Sequence, residues 1–188
     1  VHVPLVFVSS DYVFDGKSPP YVESDPVAPV NIYGQNKVAS ESLVLQRQRG
    51  AVIRVPLLVG AGDDQLPSGF VAQMVSDIRQ LGEQEVDNSL VRFPTWTEDV
   101  AALIEYVLRN SLRGVFHFSG PRGGTRREFT REVANFLEIP VLHLRPSEAA
   151  IPRSARRPVD SHLLPVRLQT LGYNRFTDFS QVIRSLLN

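Results

Sequence analysis

Apolar positions fall in two rhythms along this chain. Residues 3–8 form a nearly unbroken, valine-rich apolar run, and AVIRV at 51–55 and GVFHFSG at 114–120 repeat the pattern. Short β-branched runs of this kind predict strands buried on both faces of a parallel sheet. Between them lie longer segments with helix signals. Asn31 is placed to cap a helix over 32–48, with Gly50 beyond its end. Ser68 precedes a helix to about residue 80. Thr97 precedes VAALIEYVLRN, with Glu98 and Asp99 suited to the positive end of a helix dipole. Thr125 and Glu128 have capping-box spacing ahead of a helix to about residue 138. Asp178 opens a last short helix whose apolar face carries Phe179, Val182, Ile183 and Leu186.

Strands alternating with helices predict an α/β fold with a doubly wound parallel sheet. Residues 15–30, with four prolines, the segment 56–69 and the Pro/Arg-rich segment 143–158 read as irregular. The long connections after the second and third strands are expected to build a small lobe over the carboxyl ends of the strands, where ligands of such sheets bind.

Composition narrows the function. The 188 residues carry a formal net charge of +0 and are 21% charged, so no global field favours nucleic acid or an acidic membrane. The absence of cysteine excludes disulfides and thiolate chemistry. His2, His117, His143 and His162 have no metal-ligand spacing, and His117 falls mid-strand. No apolar run is long enough for a membrane span.

The chemistry concentrates at the first strand's end. VFVSSDYVFDG, Val6 to Gly16, turns from apolar to Ser9-Ser10-Asp11-Tyr12, which core packing does not require. On the following helix, Tyr33 and Lys37 are four residues apart, hence on one face and one turn apart. A phenol ordinarily titrates near pH 10. A neighbouring ammonium favours its ionised form, which suits the pair to give a proton to, or take one from, a carbonyl or alcohol oxygen. Ser10 supplies a hydroxyl that could hold that oxygen. Tyr-x-x-x-Lys alone is a weak signal. Its position after a buried strand ending in Ser-Ser strengthens it.

SSDYVFDG, PPYVESDPVAPVNIYGQNK, RVPLLVG, RFPTWTEDVA, GVFHFSG and RRPVDSHLL together resemble the extended short-chain dehydrogenase/reductases, and among them the dTDP-4-dehydrorhamnose reductases. The resemblance implies a Rossmann-like fold and reduction of a nucleotide-linked keto-sugar with NADP or NAD. It assigns Tyr33 as catalytic acid, Lys37 as its partner and ribose ligand, and Ser10 as the catalytic hydroxyl. Ser9, Arg54 and Pro56 are expected beside the cofactor, with a buried arginine held by a structural partner as the alternative reading of Arg54. Asp11, Tyr12, Leu57, Thr95, Arg156 and Arg157 are expected beside the substrate, with Arg153 a further diphosphate candidate; Asp11 and Tyr12 also read, ahead of any catalytic role, as shaping the strand-end turn, and the arginines as a solvated loop. Residues 1–60 and 97–118 would be the C-terminal portion of the cofactor domain, and 61–96 and 119–188 the substrate lobe.

Leu57 and Leu58 stand where the rhamnose branch usually has a tryptophan, and Arg92-Phe93-Pro94-Thr95 where it usually has Gly-x-Pro-Thr. These segments, with HLRP at 143–146, are more similar to the regulatory beta subunits of methionine adenosyltransferase. That resemblance implies a cytoplasmic partner, the catalytic subunit that makes S-adenosylmethionine. A homodimer is a further expectation.

No Gly-x-Gly-x-x-Gly occurs. Gly120, Gly123 and Gly124 form the nearest glycine cluster, but their spacing suits a loop into a Thr125-capped helix better than a dinucleotide turn. Aligned on the reductases, Val1 falls just before about the fifth strand. The strands with most of the cofactor site are therefore expected to be missing, and this chain alone is expected to bind NAD(P)H poorly. No residue is assigned to a metal.

Overall fold

The computed structural model describes residues 3–62, 66–147 and 155–188. It is a mixed α/β structure with parallel strands, built from β1 (Leu5–Ser10), α1 (Ile32–Leu45), β2 (Gly50–Val55), β3 (Leu58–Val59), α2 (Gly69–Arg79), β4 (Gln84–Asp87), β5 (Val91–Arg92), β6 (Thr95–Trp96), α3 (Thr97–Arg109), β7 (Gly114–His117), β8 (Gly124–Thr125), α4 (Arg126–Phe136), β9 (Leu144–Ser147), α5 (Val166–Thr170) and α6 (Phe179–Leu187). Among the described residues no helix is long and apolar enough to cross a membrane.

The main sheet runs β1-β2-β7, all parallel. The central strand β2 is buried along its whole length, as its apolar run predicts. Its alternate residues divide the protein. Ala51, Ile53 and Val55 face a core made with Val100, Leu103 and Val107 of α3, Phe116 and Leu168 of α5. Removing such side chains from water contributes roughly 1.5–3 kcal/mol each. Val52 and Arg54 face the α1 side. Helices on both faces are what a doubly wound sheet requires. The edge strand β1 differs from its expected two-sided burial: Leu5 is 44% exposed and Val3 69%. Among the described residues β2 is its one partner in the sheet order, so it has a neighbour on one side.

A second core gathers Val59, Val71, Met74, Ile78, Phe129, Val133, Phe179, Val182 and Ile183, with Trp96 packed against it. It joins α2, α4 and α6. The helix starts follow the sequence signals. Asn31 Oδ1 accepts from Gly34 N at 2.8 Å. Thr125 and Glu128 form a capping box on α4, and Asp178 and Gln181 another on α6. Two starts differ. Ser68 sits at the N-cap of α2 but spends its hydroxyl on the Gly60 carbonyl at 3.2 Å. Thr97 is already the first residue of α3, with Trp96 at the cap.

One segment read as irregular is partly strand: residues 144–147 pair in parallel with 84–87. Val91–Arg92 pairs antiparallel with Gly124–Thr125. The glycine cluster therefore serves the backbone. A Cβ on Gly120 would stand 2.0 Å from the Pro94 carbonyl oxygen, and one on Gly123 would enter the Phe93 ring.

Candidate active site

One cleft of about 440 Å³ opens at the carboxyl ends of β1 and β2, where ligands of parallel sheets bind. The main sheet supplies Ser9 and Ser10 at the end of β1, Asp11 and Tyr12 just beyond it, and Pro56 and Leu57 after β2. Helix α1 supplies Tyr33 and Lys37. The opposite wall comes from the second layer: Phe70, Asp87, Leu90, Arg92 and Arg126, with Arg157 beside them.

A close backbone approach places Tyr33. The next residue, Gly34, lies against the Tyr12 carbonyl oxygen, which a Cβ there would meet at 2.2 Å. The first turn of α1 thus sits directly on the strand-end turn. The Tyr12 and Tyr33 rings meet edge to face, 5.8 Å between centroids. One turn on, Lys37 Nζ donates to the Val8 carbonyl at 2.9 Å and lies 4.8 Å from the Phe7 ring centre and 5.6 Å from that of Tyr33. An ammonium carries three donors. Those beyond the Val8 bond, with the Tyr33 hydroxyl, are the donor set a ribose diol needs. The residues present therefore fit the nicotinamide ribose end of a dinucleotide.

Ser10 belongs to a tight strand-end network. Its Oγ donates to Asp11 Oδ1 at 3.0 Å and accepts from Tyr12 N at 3.2 Å. The Ser161 hydroxyl donates to the other oxygen of Asp11. Asp11 is 4% exposed, and burial raises its pKa above the usual 3.8 against the lowering effect of the two serines and of the Arg92 charge.

Three residues expected at the site are placed elsewhere. Arg54 is 4% exposed and faces α1, where it is bidentate to Glu41, Nη2 to Oε2 at 2.8 Å and Nε to Oε1 at 3.0 Å. It forms one row across the sheet with Ser9 and His117. Ser9 Oγ donates to Glu41 Oε1 at 2.5 Å, so Ser9 lines the cleft with its hydroxyl turned into the same cluster. Arg54 Nη1 lies 3.3 Å from His117 Nε2, which must accept. His117 Nδ1 then carries the proton toward the Tyr21 carbonyl, 3.1 Å away. Desolvation first, and the Arg54 charge second, hold the His117 pKa down at about 3. A charged side chain inside a valine strand requires a buried partner. This one finds it on the helix, not in a ligand.

Thr95 is 1% exposed, and its Oγ1 clips two loops by donating to Phe93 O at 3.0 Å and accepting from Gly120 N at 2.8 Å. Arg156 is exposed off the cleft. Its carbonyl accepts from Asn31 Nδ2 at 2.8 Å, tying that loop to the start of α1. Arg153 lies outside the described residues.

The far wall was not foreseen as a site. Arg92 Nη1 donates to the carbonyls of Val91 at 2.6 Å and Pro158 at 3.2 Å. Arg126 pairs with Asp77 at 2.5 Å. Nothing in the spacing of Phe70, Asp87, Leu90 and Arg126 marks them, because separate elements carry each one to the cleft.

A Rossmann-like sheet with a tyrosine, a lysine and a serine at one cleft defines a dehydrogenase-type fold, and the comparisons agree. The family described as the RmlD substrate binding domain matches residues 1–188, and this chain belongs to it. It is 35% identical over 190 residues to methionine adenosyltransferase 2 subunit beta from Mus musculus, covering 97% of this chain and 57% of that protein. It is 34% identical over 148 residues to a dTDP-4-keto-6-deoxy-D-glucose reductase from Streptomyces niveus, covering 77% of this chain and 50% of that protein. Among solved structures, a dTDP-4-dehydrorhamnose reductase from Bacillus anthracis in complex with NADP superposes with a TM-score of 0.88 at 26% identity, covering 98% of this chain and 65% of that one. The chain thus spans a little over half the length of the curated relatives it matches.

Proposed function

We propose that this chain carries the proton-transfer and sugar-binding part of an NAD(P)H-dependent reductase acting on a nucleotide-linked keto-sugar. The observation that carries the proposal is the convergence of Tyr33, Lys37 and Ser10 on one cleft at the carboxyl edge of the sheet. The nicotinamide cofactor would supply a hydride. Tyr33 would give the proton to the sugar oxygen. The Lys37 ammonium, held by the Val8 carbonyl, would stabilise the negative charge left on the phenol oxygen and bind the ribose. Ser10 would hold the sugar's carbonyl oxygen. Leu57 and Phe70 would cover the sugar and exclude water, and segments 61–96 and 119–188 would form the substrate lobe. Steady-state NAD(P)H oxidation by the full-length protein with dTDP-4-dehydrorhamnose tests this. Turnover that falls at least about a hundredfold in Tyr33→Phe supports it, and unchanged turnover in that variant rejects it.

A second reading is favoured by the identity of 35% over 97% of the chain with a methionine adenosyltransferase beta subunit. Under it the protein binds a methionine adenosyltransferase catalytic subunit and modulates S-adenosylmethionine synthesis. Fold and a retained set of side chains do not by themselves decide between the two. Capture of that catalytic subunit, undiminished by Tyr33→Phe and without sugar turnover, favours the second reading.

A further inference from the structure

A serine hydroxyl has one proton to donate and two lone pairs to accept with. Ser10 spends its proton on Asp11 Oδ1 and one lone pair on Tyr12 N–H. What it then offers the cleft is a lone pair, which cannot hold a carbonyl oxygen. The obstacle is local and has one reversible cause, the direction of the proton between Asp11 and Ser10.

We propose that Asp11 is a positioning residue that acts through Ser10: as a neutral acid it donates its own O–H to Ser10 Oγ, which turns the serine proton outward onto the substrate's carbonyl oxygen. Both lone pairs of Ser10 are then filled, by Asp11 O–H and Tyr12 N–H, and its proton has only the cleft to point to. The second Asp11 oxygen keeps its hydrogen bond from Ser161, which arrives from 150 residues along the chain and fixes the carboxyl plane. No covalent bond changes. The device sets only which group of the hydrogen-bonded pair donates.

Burial supports the neutral acid, since a carboxyl 4% exposed is pushed toward protonation. The charge opposing it is Arg92 on β5, whose guanidinium is already committed to the Pro158 and Val91 carbonyls. Ser10 and Ser161 also favour the carboxylate by donating to it. Lys37 and Tyr33 of α1, and Arg126, Asp87 and Arg157 across the cleft, line the same space.

The inference rests on the reductase reading, so its test has two arms. In the first, carbon-13 NMR of aspartate carboxyls follows the chain through pH. One resonance, absent in Asp11→Asn, is expected to titrate above the other aspartates and to move higher still in Ser161→Ala. In the second, the full-length protein turns over dTDP-4-dehydrorhamnose. Its kcat is expected to fall tenfold per pH unit above the Asp11 midpoint, and this limb is expected to vanish in Asp11→Asn, whose amide donates to Ser10 at every pH. A role confined to folding would not remove a pH limb. An Asp11 ionised throughout an active enzyme's working range, or a limb unchanged in Asp11→Asn, overturns the role of Asp11 alone. No turnover by the wild type overturns the reductase reading and with it this use of Ser10.

Discussion

Gly34 and the carbonyl oxygen of Tyr12 are in backbone contact: a Cβ on Gly34 would lie 2.2 Å from that oxygen and 2.9 Å from Pro29 Cβ. The contact joins the helix that carries Tyr33 and Lys37 to the turn that carries Ser10 and Asp11. Side-chain chemistry at the cleft therefore depends on a residue with no side chain.

Gly34→Ala accordingly separates two effects of opposite sign. Helix propensity alone favours alanine by about 1 kcal/mol. The backbone clash cannot be relieved by a rotamer change and is expected to cost more, for a net loss of about 2 kcal/mol. Urea unfolding measures it. A gain in stability would mean that the contact does not exist in solution.

The buried row of Ser9, Arg54 and His117 with Glu41 makes a second prediction. Glu41→Leu leaves the Arg54 guanidinium buried with no counter-charge and is expected to cost about 3–5 kcal/mol. Arg54→Met leaves the carboxylate in the same position and is expected to cost a similar amount. The double variant should recover most of the loss, because an apolar pair of similar volume is often neutral in place of a buried ion pair. Additive losses in the double-mutant cycle would refute the pairing.

The same row predicts acid sensitivity. His117 titrates at about 3 in the fold against 6.5 when unfolded, so the unfolded chain binds the proton more tightly. Stability from this group is fully present above pH 6.5 and is lost as pH falls toward 3, at up to about 1.4 kcal/mol per pH unit. Asp11 acts in the other sense: its raised pKa makes the fold lose stability as pH rises through the range above 3.8. Denaturant unfolding of the wild type and His117→Gln from pH 7 to pH 4 separates the two. The variant should show the shallower decline on acidification. Parallel curves would contradict the assignment.

Much of this was legible in the sequence, for local reasons. The valine runs placed the three sheet strands. Asn31, Thr125 and Asp178 marked helix starts, because each cap uses side chains within a few residues of the backbone it satisfies. The pairing of a polar strand end with Tyr33 and Lys37 was readable because one helical turn and one connection fix it. Two-residue strands such as β3 and β6 carry no periodicity to detect. The wall of Phe70, Asp87, Leu90, Arg92 and Arg126 is assembled by long-range packing. Thr95 was expected at the site and instead satisfies a buried polar need of the scaffold, while Arg54 follows its alternative reading as a buried arginine with a structural partner. The lone arginine in AVIRV was itself a signal for a buried partner, which Glu41 provides from another element.

The most direct measurement is label transfer. Full-length protein is incubated with dTDP-4-dehydrorhamnose and NADPH carrying deuterium at the nicotinamide C4 position, and the sugar product is examined by NMR. The account predicts deuterium on the sugar carbon that bore the ketone, with the rate of its appearance at least about a hundredfold lower in Tyr33→Phe. No label in the sugar, or label appearing equally fast without the Tyr33 hydroxyl, would contradict it.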